Sequence, residues 1–249
     1  NDYLEKIAKY EEVTDMMERE IARFLTHISE SSMSTEGSKK ISAMLRTRYT
    51  KKGVHFHLSC RVTGVEGHKV TFTDAEGTEH TIEGDKILVS VGRRPVTQGF
   101  GLETLGVEFE RGGVKVDNRM RTNVEGVYAA GDITGFSLLA HTASREGEVV
   151  INNLCGHDDT MSYDAIPGIV YTNPEVAGVG LTEEEAQKHG IEYNCMKLPM
   201  AYSGRFVAEN EGGEGVCKVI TDKTSGRVLG VHMLGNPCSE IISSACIAI

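Results

Sequence analysis

The sequence predicts a mixed α+β and α/β protein: a helical N-terminal segment, incomplete parallel-sheet domains in the middle, and an α+β domain at the end. Three observations carry this. An apolar stripe at helical spacing runs through the first thirty residues, the period switches to two beyond Gly53, and Lys86–Val91 (KILVSV) is almost continuously apolar, as in strands covered on both faces. A length of 249 residues allows one or two domains with a real core. With 39% hydrophobic and 25% charged residues and 28 glycines, collagenous, disordered and disulfide-scaffold classes are excluded. The net charge of −10 argues against nucleic acid as a partner, because phosphate backbones demand a basic footprint. No apolar run approaches the length of a membrane span, and the opening NDYLEKIAKYEE has neither the basic nor the apolar region of an export signal, so the expected location is cytoplasmic.

Taken in order, Tyr3, Ile7, Tyr10, Thr14, Met17, Ile21, Phe24 and Ile28 alternate steps of four and three, a heptad stripe that needs a helical partner. Ser29–Ser38 is polar and breaks it. Ile41, Met44, Leu45 and Tyr49 line a second helix, with Gly53 as its stop. Val54, Phe56 and Leu58 then alternate with polar residues as in a strand, and Lys69–Thr73 and Thr78–Ile82 flank the turn Asp74–Gly77. Strands follow at Lys86–Val91, Gly113–Asp117 and Val124–Ala130, and a helix from about Leu138 to Leu154. Beyond Tyr163 come strands and turns with one helix, Thr182–His189, opened by a capping box (Thr182, Glu185). Strands near Val216–Thr221 and Val228–Leu234 precede a last helix from about Ser239.

The six cysteines (60, 155, 195, 217, 238 and 246) include no C-x-x-C pair, so zinc ribbons and thioredoxin-type centres lack support and the thiols read as small buried hydrophobes. The string Thr122–Asp132 (TNVEGVYAAGD) carries the chemistry. An apolar strand delivers Asp132 to the carboxyl edge of a sheet, where α/β proteins bind ligands. Gly131 permits close backbone approach, Asp132 can accept hydrogen bonds from a polyol, and the N-terminus of the next helix favours negative charge. The dipeptide alone is more often a plain β-turn. The whole string resembles the second flavin-binding motif of the two-dinucleotide-binding-domain flavoprotein disulfide reductases. Val91–Pro95 (VGRRP) resembles the strand end closing their NAD(P) domain, and Leu138-Leu139-Ala140-His141 the helix start beside the flavin ring. Pro167–Glu175, Ala201–Arg205 and Gly226–His232 resemble the dimerisation domain, with the dihydrolipoamide dehydrogenase branch as the nearest match.

The resemblance implies a partial flavoprotein fold: 47–95 as the remnant of an NAD-binding domain, 96–160 as part of an FAD-binding domain, and 161–249 as a truncated α+β dimerisation domain. It implies FAD and NAD as cofactors, with Gly131, Asp132, Leu138, Leu139, Ala140 and His141 on the flavin side and Val62 and Gly92 on the NAD side. For Val62, ordinary strand packing is an equal reading. Whether Arg93 and Arg94 are more than loop charges stays open, as does the choice within NAD(P). The implied activity is oxidation of protein-bound dihydrolipoamide through FAD to NAD. The implied partners are a second copy bound through 161–249, and a separate FAD-domain chain or a 2-oxoacid dehydrogenase complex.

Four parts of the family machinery are not found in these residues: both G-x-G-x-x-G loops, a cysteine pair with four residues between them, and the His-Glu acid/base segment. No catalytic residue is therefore assigned, and full activity of this chain alone is not expected. A dimerisation or assembly module and a subunit of a split enzyme are the alternatives. Residues 1–46 resemble instead a PhoU-like helical domain of sodium/phosphate cotransporters, on Lys9–Ile21 (KYEEVTDMMEREI), which leaves a phosphate-transport regulatory fragment as a further alternative. Glu11 and Asp15 there match an acidic metal-binding pattern, but two carboxylates supply too few oxygens, and a solvated face is the preferred reading.

Overall fold

The computed structural model describes residues 35–210 and 212–249. The heptad helix, the Glu11–Asp15 pair and the first part of the Ser29–Ser38 break lie outside the described residues. The chain divides into two compact units: the described residues up to Val91 join Pro167–Ile249 in one, and Gly92–Ile166 form the other.

In the first unit, helix α1 (Thr35–Thr50) begins inside the stretch expected to be a break. Its C-terminal turns bury Leu45 and Tyr49, four apart on one face, in a cluster with Val54, Val170, Val176 and Leu234. The Tyr49 hydroxyl accepts the backbone N–H of Asn173 at 3.0 Å, so the helix is tied by a polar bond as well as by apolar packing. Burial of this phenol pushes its pKa up. Strands β1 (Arg61–Glu66), β2 (Lys69–Thr73) and β3 (Glu79–Glu83) form an antiparallel meander in that order. Asp74 closes the β2–β3 turn: one carboxylate oxygen accepts the N–H groups of Glu76 and Thr78, and the other lies 2.6 Å from His80 Nε2.

The rest of this unit is a five-stranded antiparallel sheet made of β6 (Gly168–Val170), β7 (Val176–Gly180), β8 (Tyr193–Pro199), β9 (Val216–Asp222) and β10 (Val228–Leu234). The spatial order is β6-β7-β10-β9-β8. Alternation sorts its faces. Ala177, Val179, Val231 and Met233 pack against Cys238, Ile242 and Ala245 of the last helix, Cys238–Ala248. On the opposite face His232 stands across from Gly178 in the register, its imidazole 4% exposed. Its Nδ1 lies only 2.8 Å from where a Cβ on Gly178 would stand, so the absent side chain makes room for the ring. His232 Nε2 donates to the Leu181 carbonyl at 3.1 Å, while the buried Nδ1 has no partner. That arrangement suits the neutral ring, and burial lowers the His232 pKa. The short helix Glu183–Lys188 carries the expected box: Thr182 Oγ1 accepts the Glu185 N–H, and the Glu185 carboxylate accepts the Thr182 N–H.

The second unit is less regular. It holds the helical turn α2 (Leu102–Leu105), the two-residue strands β4 (Phe109–Glu110) and β5 (Gly113–Val114), and α3 (Ala140–Leu154). Its core gathers Met120, Val149 and Met161, flanked by Val116, Val150, Tyr163 and Ile166. With α3 so defined, the helices Glu183–Lys188, Gly204–Glu209 and Cys238–Ala248 are α4, α5 and α6.

Three strand expectations are corrected. Lys86–Val91 joins no sheet among the described residues, and Val89 and Val91 are 61% and 84% exposed. Its composition asks for burial on both faces, but no neighbouring parallel strand among the described residues supplies it. Val124–Ala130 is not a strand either. Val127 N–H turns back onto the Val124 carbonyl, and a lone bridge joins Arg121 to Tyr128. Val54–Leu58 also stays outside any sheet, since Val54 N–H caps α1 by donating to the Tyr49 carbonyl. Gly113–Asp117 shortens to Gly113–Val114.

Two outcomes follow. Thr182→Ala is expected to lower stability by about 1 kcal/mol through loss of the cap, measurable by urea denaturation. His232 has a depressed folded pKa, so its contribution is present above its unfolded value of about 6.5 and is lost as pH falls through the folded value. Urea midpoints of the native chain should therefore fall between about pH 7.5 and about pH 5 more steeply than those of His232→Leu. Identical slopes would reject the neutral buried imidazole.

Candidate functional site

In the second unit the backbone from Ala130 into a 3-10 turn, Asp132–Thr134, makes a sharp corner. Gly131 adopts φ 82° and ψ −157°, a combination essentially confined to glycine. A Cβ there would also press to 3.3 Å on that of Ala143 in α3. The turn is closed by the Thr134 N–H and hydroxyl, both donating to the Gly131 carbonyl, and by the Gly135 N–H donating to the Asp132 carbonyl. Thr134 is buried, while the Asp132 carboxylate is 44% exposed and faces outward.

Asp132, Gly131 and the segment Leu138–His141 come together, as their chain spacing predicts. The link is Arg93. One guanidinium nitrogen donates to the Leu138 carbonyl at 2.9 Å, and another lies 3.5 Å from the Asp132 carboxylate. At 3.5 Å the ion pair is loose, which leaves the carboxylate free to accept from hydroxyl donors. Helix α3 starts at Ala140 behind Leu139, with no side-chain cap on its N-terminus. Leu139, Ala140 and His141 are exposed and Leu138 half-buried. Gly92 opens the Arg93 segment with φ 107°. Val62 is in the other unit, on β1 opposite Phe72, and 55% exposed.

Behind the turn sits a group that the sequence reasoning missed. Glu146, on the buried face of α3 with Thr142 and Val149, is fully buried. Its Oε2 accepts the Gly131 N–H at 2.5 Å and its Oε1 accepts the Tyr163 hydroxyl at 2.7 Å. Burial, reinforced by the Glu146 bond, holds the Tyr163 phenol above its ordinary pKa. The Tyr163 ring packs on Phe136 with centroids 4.1 Å apart. The available signal was a carboxylate at a core position of an amphipathic helix. Arg93 gave none beyond its place in the string. On the outer side of α3, Arg145 forks onto both oxygens of Asp159 at 2.6 and 2.8 Å and holds that carboxyl at about 2.

All six cysteines are free of disulfides. Burial pushes Cys238 up to about 12 and raises Cys195, Cys217 and Cys246 as well, which keeps these as unreactive thiols. Among the described residues no cluster of three or more His, Cys, Asp or Glu side chains is arranged to hold a metal ion, and no helix is long and apolar enough to cross a membrane.

Known proteins resemble this chain over most of its length. A dihydrolipoyl dehydrogenase of Pisum sativum, a mitochondrial form, is 42% identical over 205 residues, covering 80% of this chain and 41% of that protein. The Bacillus subtilis dihydrolipoyl dehydrogenase is 40% identical over 217 residues, covering 85% and 46%. The crystal structure of LpdA from Mycobacterium tuberculosis superposes with a TM-score of 0.74 at 28% identity, over 83% of this chain and 45% of that one. The chain thus spans less than half the length of these relatives. The family model described as pyridine nucleotide-disulphide oxidoreductase matches residues 17–147, and the model of that family's dimerisation domain matches 166–249. The chain belongs to the pyridine nucleotide-disulphide oxidoreductase family.

Proposed function

We propose that this chain supplies the ribityl side of a flavin site and the dimerisation domain of a dihydrolipoyl dehydrogenase. The observation that carries the reading is the Gly131–Asp132 corner, with its outward carboxylate tied through Arg93 to the uncapped start of α3. The donor set fits FAD: a carboxylate for ribityl hydroxyls, a helix N-terminus whose positive dipole end favours negative charge, and apolar Leu138 and Leu139 for an aromatic ring system. When bound, FAD carries electrons between a dithiol and NAD. Everything else falls to protein groups. Asp132 accepts hydrogen bonds from the ribityl hydroxyls and orients that chain, Arg93 fixes Asp132 and the Leu138 backbone in one arrangement, and Leu138 to His141 exclude water beside the ring. Gly92, on the segment leading to Arg93, and Val62 are the NAD-side residues in this reading.

No cysteine pair here can pass electrons to a flavin. In this reading the redox-active thiols, the phosphate-binding glycine loops and the acid/base segment are supplied by other residues of the working enzyme. Exposure of Val89 and Val91 fits a surface that such residues would cover. The partner we assign through 161–249 is a second copy of the same chain. Six free thiols fit a reducing compartment, and we place the protein in the cytoplasm on that basis.

The decisive experiment is a visible spectrum of the purified chain after incubation with FAD and gel filtration. The expected result is a retained flavin band, with Asp132→Ala weakening FAD binding about tenfold to a hundredfold, the scale of a hydrogen bond to a charged group. A colourless native chain would overturn the reading. Added NADH and lipoamide should give no turnover above background, and sedimentation should report twice the monomer mass. Turnover by homogeneous protein would refute the assignment of the redox thiols to other residues.

A further inference from the structure

Gly131 holds a peptide orientation that few backbones adopt, and Asp132 points wherever that peptide sends it. Something must keep the peptide there. The fully buried Glu146 carboxylate does so, accepting the Gly131 N–H at 2.5 Å. Its second oxygen is engaged by the Tyr163 hydroxyl at 2.7 Å, and the Tyr163 ring rests on Phe136. Both ends of the segment 131–136 are therefore gripped from one buried carboxylate: Gly131 directly and Phe136 through the phenol. A fully buried glutamate is costly unless its lone pairs are satisfied, and both partners here are neutral donors aimed at it. Packing alone would be served by an apolar residue at this position. A carboxylate is needed to grip a backbone N–H and a hydroxyl at once.

We infer that Glu146 is a positioning residue for flavin binding, acting through the Gly131 peptide to aim the Asp132 carboxylate, with Tyr163 fixing the rotamer of Glu146. This rests on the flavin-side reading of Asp132. It predicts a specific energetic coupling. If Glu146 works by aiming Asp132, its removal should matter only while Asp132 is there to be aimed. Glutamine at this position keeps a carbonyl oxygen for the Gly131 N–H and turns its amide toward the Tyr163 hydroxyl, which can rotate to accept.

The test is a double-mutant cycle on FAD affinity, read by flavin fluorescence, with thermal melts of the FAD-free proteins alongside. Glu146→Ala is expected to weaken FAD binding at least tenfold in the native background and less than threefold in the Asp132→Ala background. Glu146→Gln should restore most of the affinity. Should Glu146→Ala fail to fold, Tyr163→Phe in the two backgrounds runs the same cycle, with an expected threefold to tenfold loss confined to the Asp132 form. Additive losses in the cycle, or full affinity in both Glu146→Ala and Tyr163→Phe, would overturn the inference while leaving the flavin site standing. A native chain that binds no FAD would overturn both.

Discussion

Strand pairing governs what this chain builds. Every β-strand must hand its N–H and C=O groups to a neighbour, and antiparallel strands joined by short turns find that neighbour close by in the sequence. Residues 168–234 meet the demand among themselves, in the order β6-β7-β10-β9-β8, and α6 covers one face of the product. Parallel strands need partners brought by long crossovers. Lys86–Val91 has the composition of such a strand and no such partner among the described residues. The contrast between a well-formed sheet and an exposed apolar run comes from this one requirement.

The same requirement explains what could be read from the residues. The Thr182–Glu185 box, the α3 helix and the β9–β10 hairpin were legible because both partners of each interaction lie within a few residues or follow one period. Lys86–Val91 and Val124–Ala130 misled because an apolar pattern states a need for burial, not whether the surroundings provide it. Val54 looked like the first residue of a strand, yet its buried side chain and its N–H both serve the end of α1.

In the site, the string ending in Gly131–Asp132 was legible, as was its approach to Leu138–His141. The supports behind it were not. Glu146 meets Gly131 across the α3 packing face and Tyr163 from beyond the end of that helix, and no spacing rule connects the three. Arg93 likewise acquires its meaning only from where Leu138 and Asp132 come to rest. Exposed carboxylate, buried carboxylate and bridging guanidinium thus form one assembly, of which the sequence displayed a single member.

The fit of the His232 imidazole over Gly178 also bears on how this domain can drift. The two positions share one volume across adjacent strands, so neither is free to change alone. A methyl group at 178 is tolerable only if the residue at 232 shrinks, and the smaller partner would then give up the bond to the Leu181 carbonyl. A change at either position alone therefore leaves a poorly packed site, which couples the glycine and the histidine energetically irrespective of any part they play in chemistry.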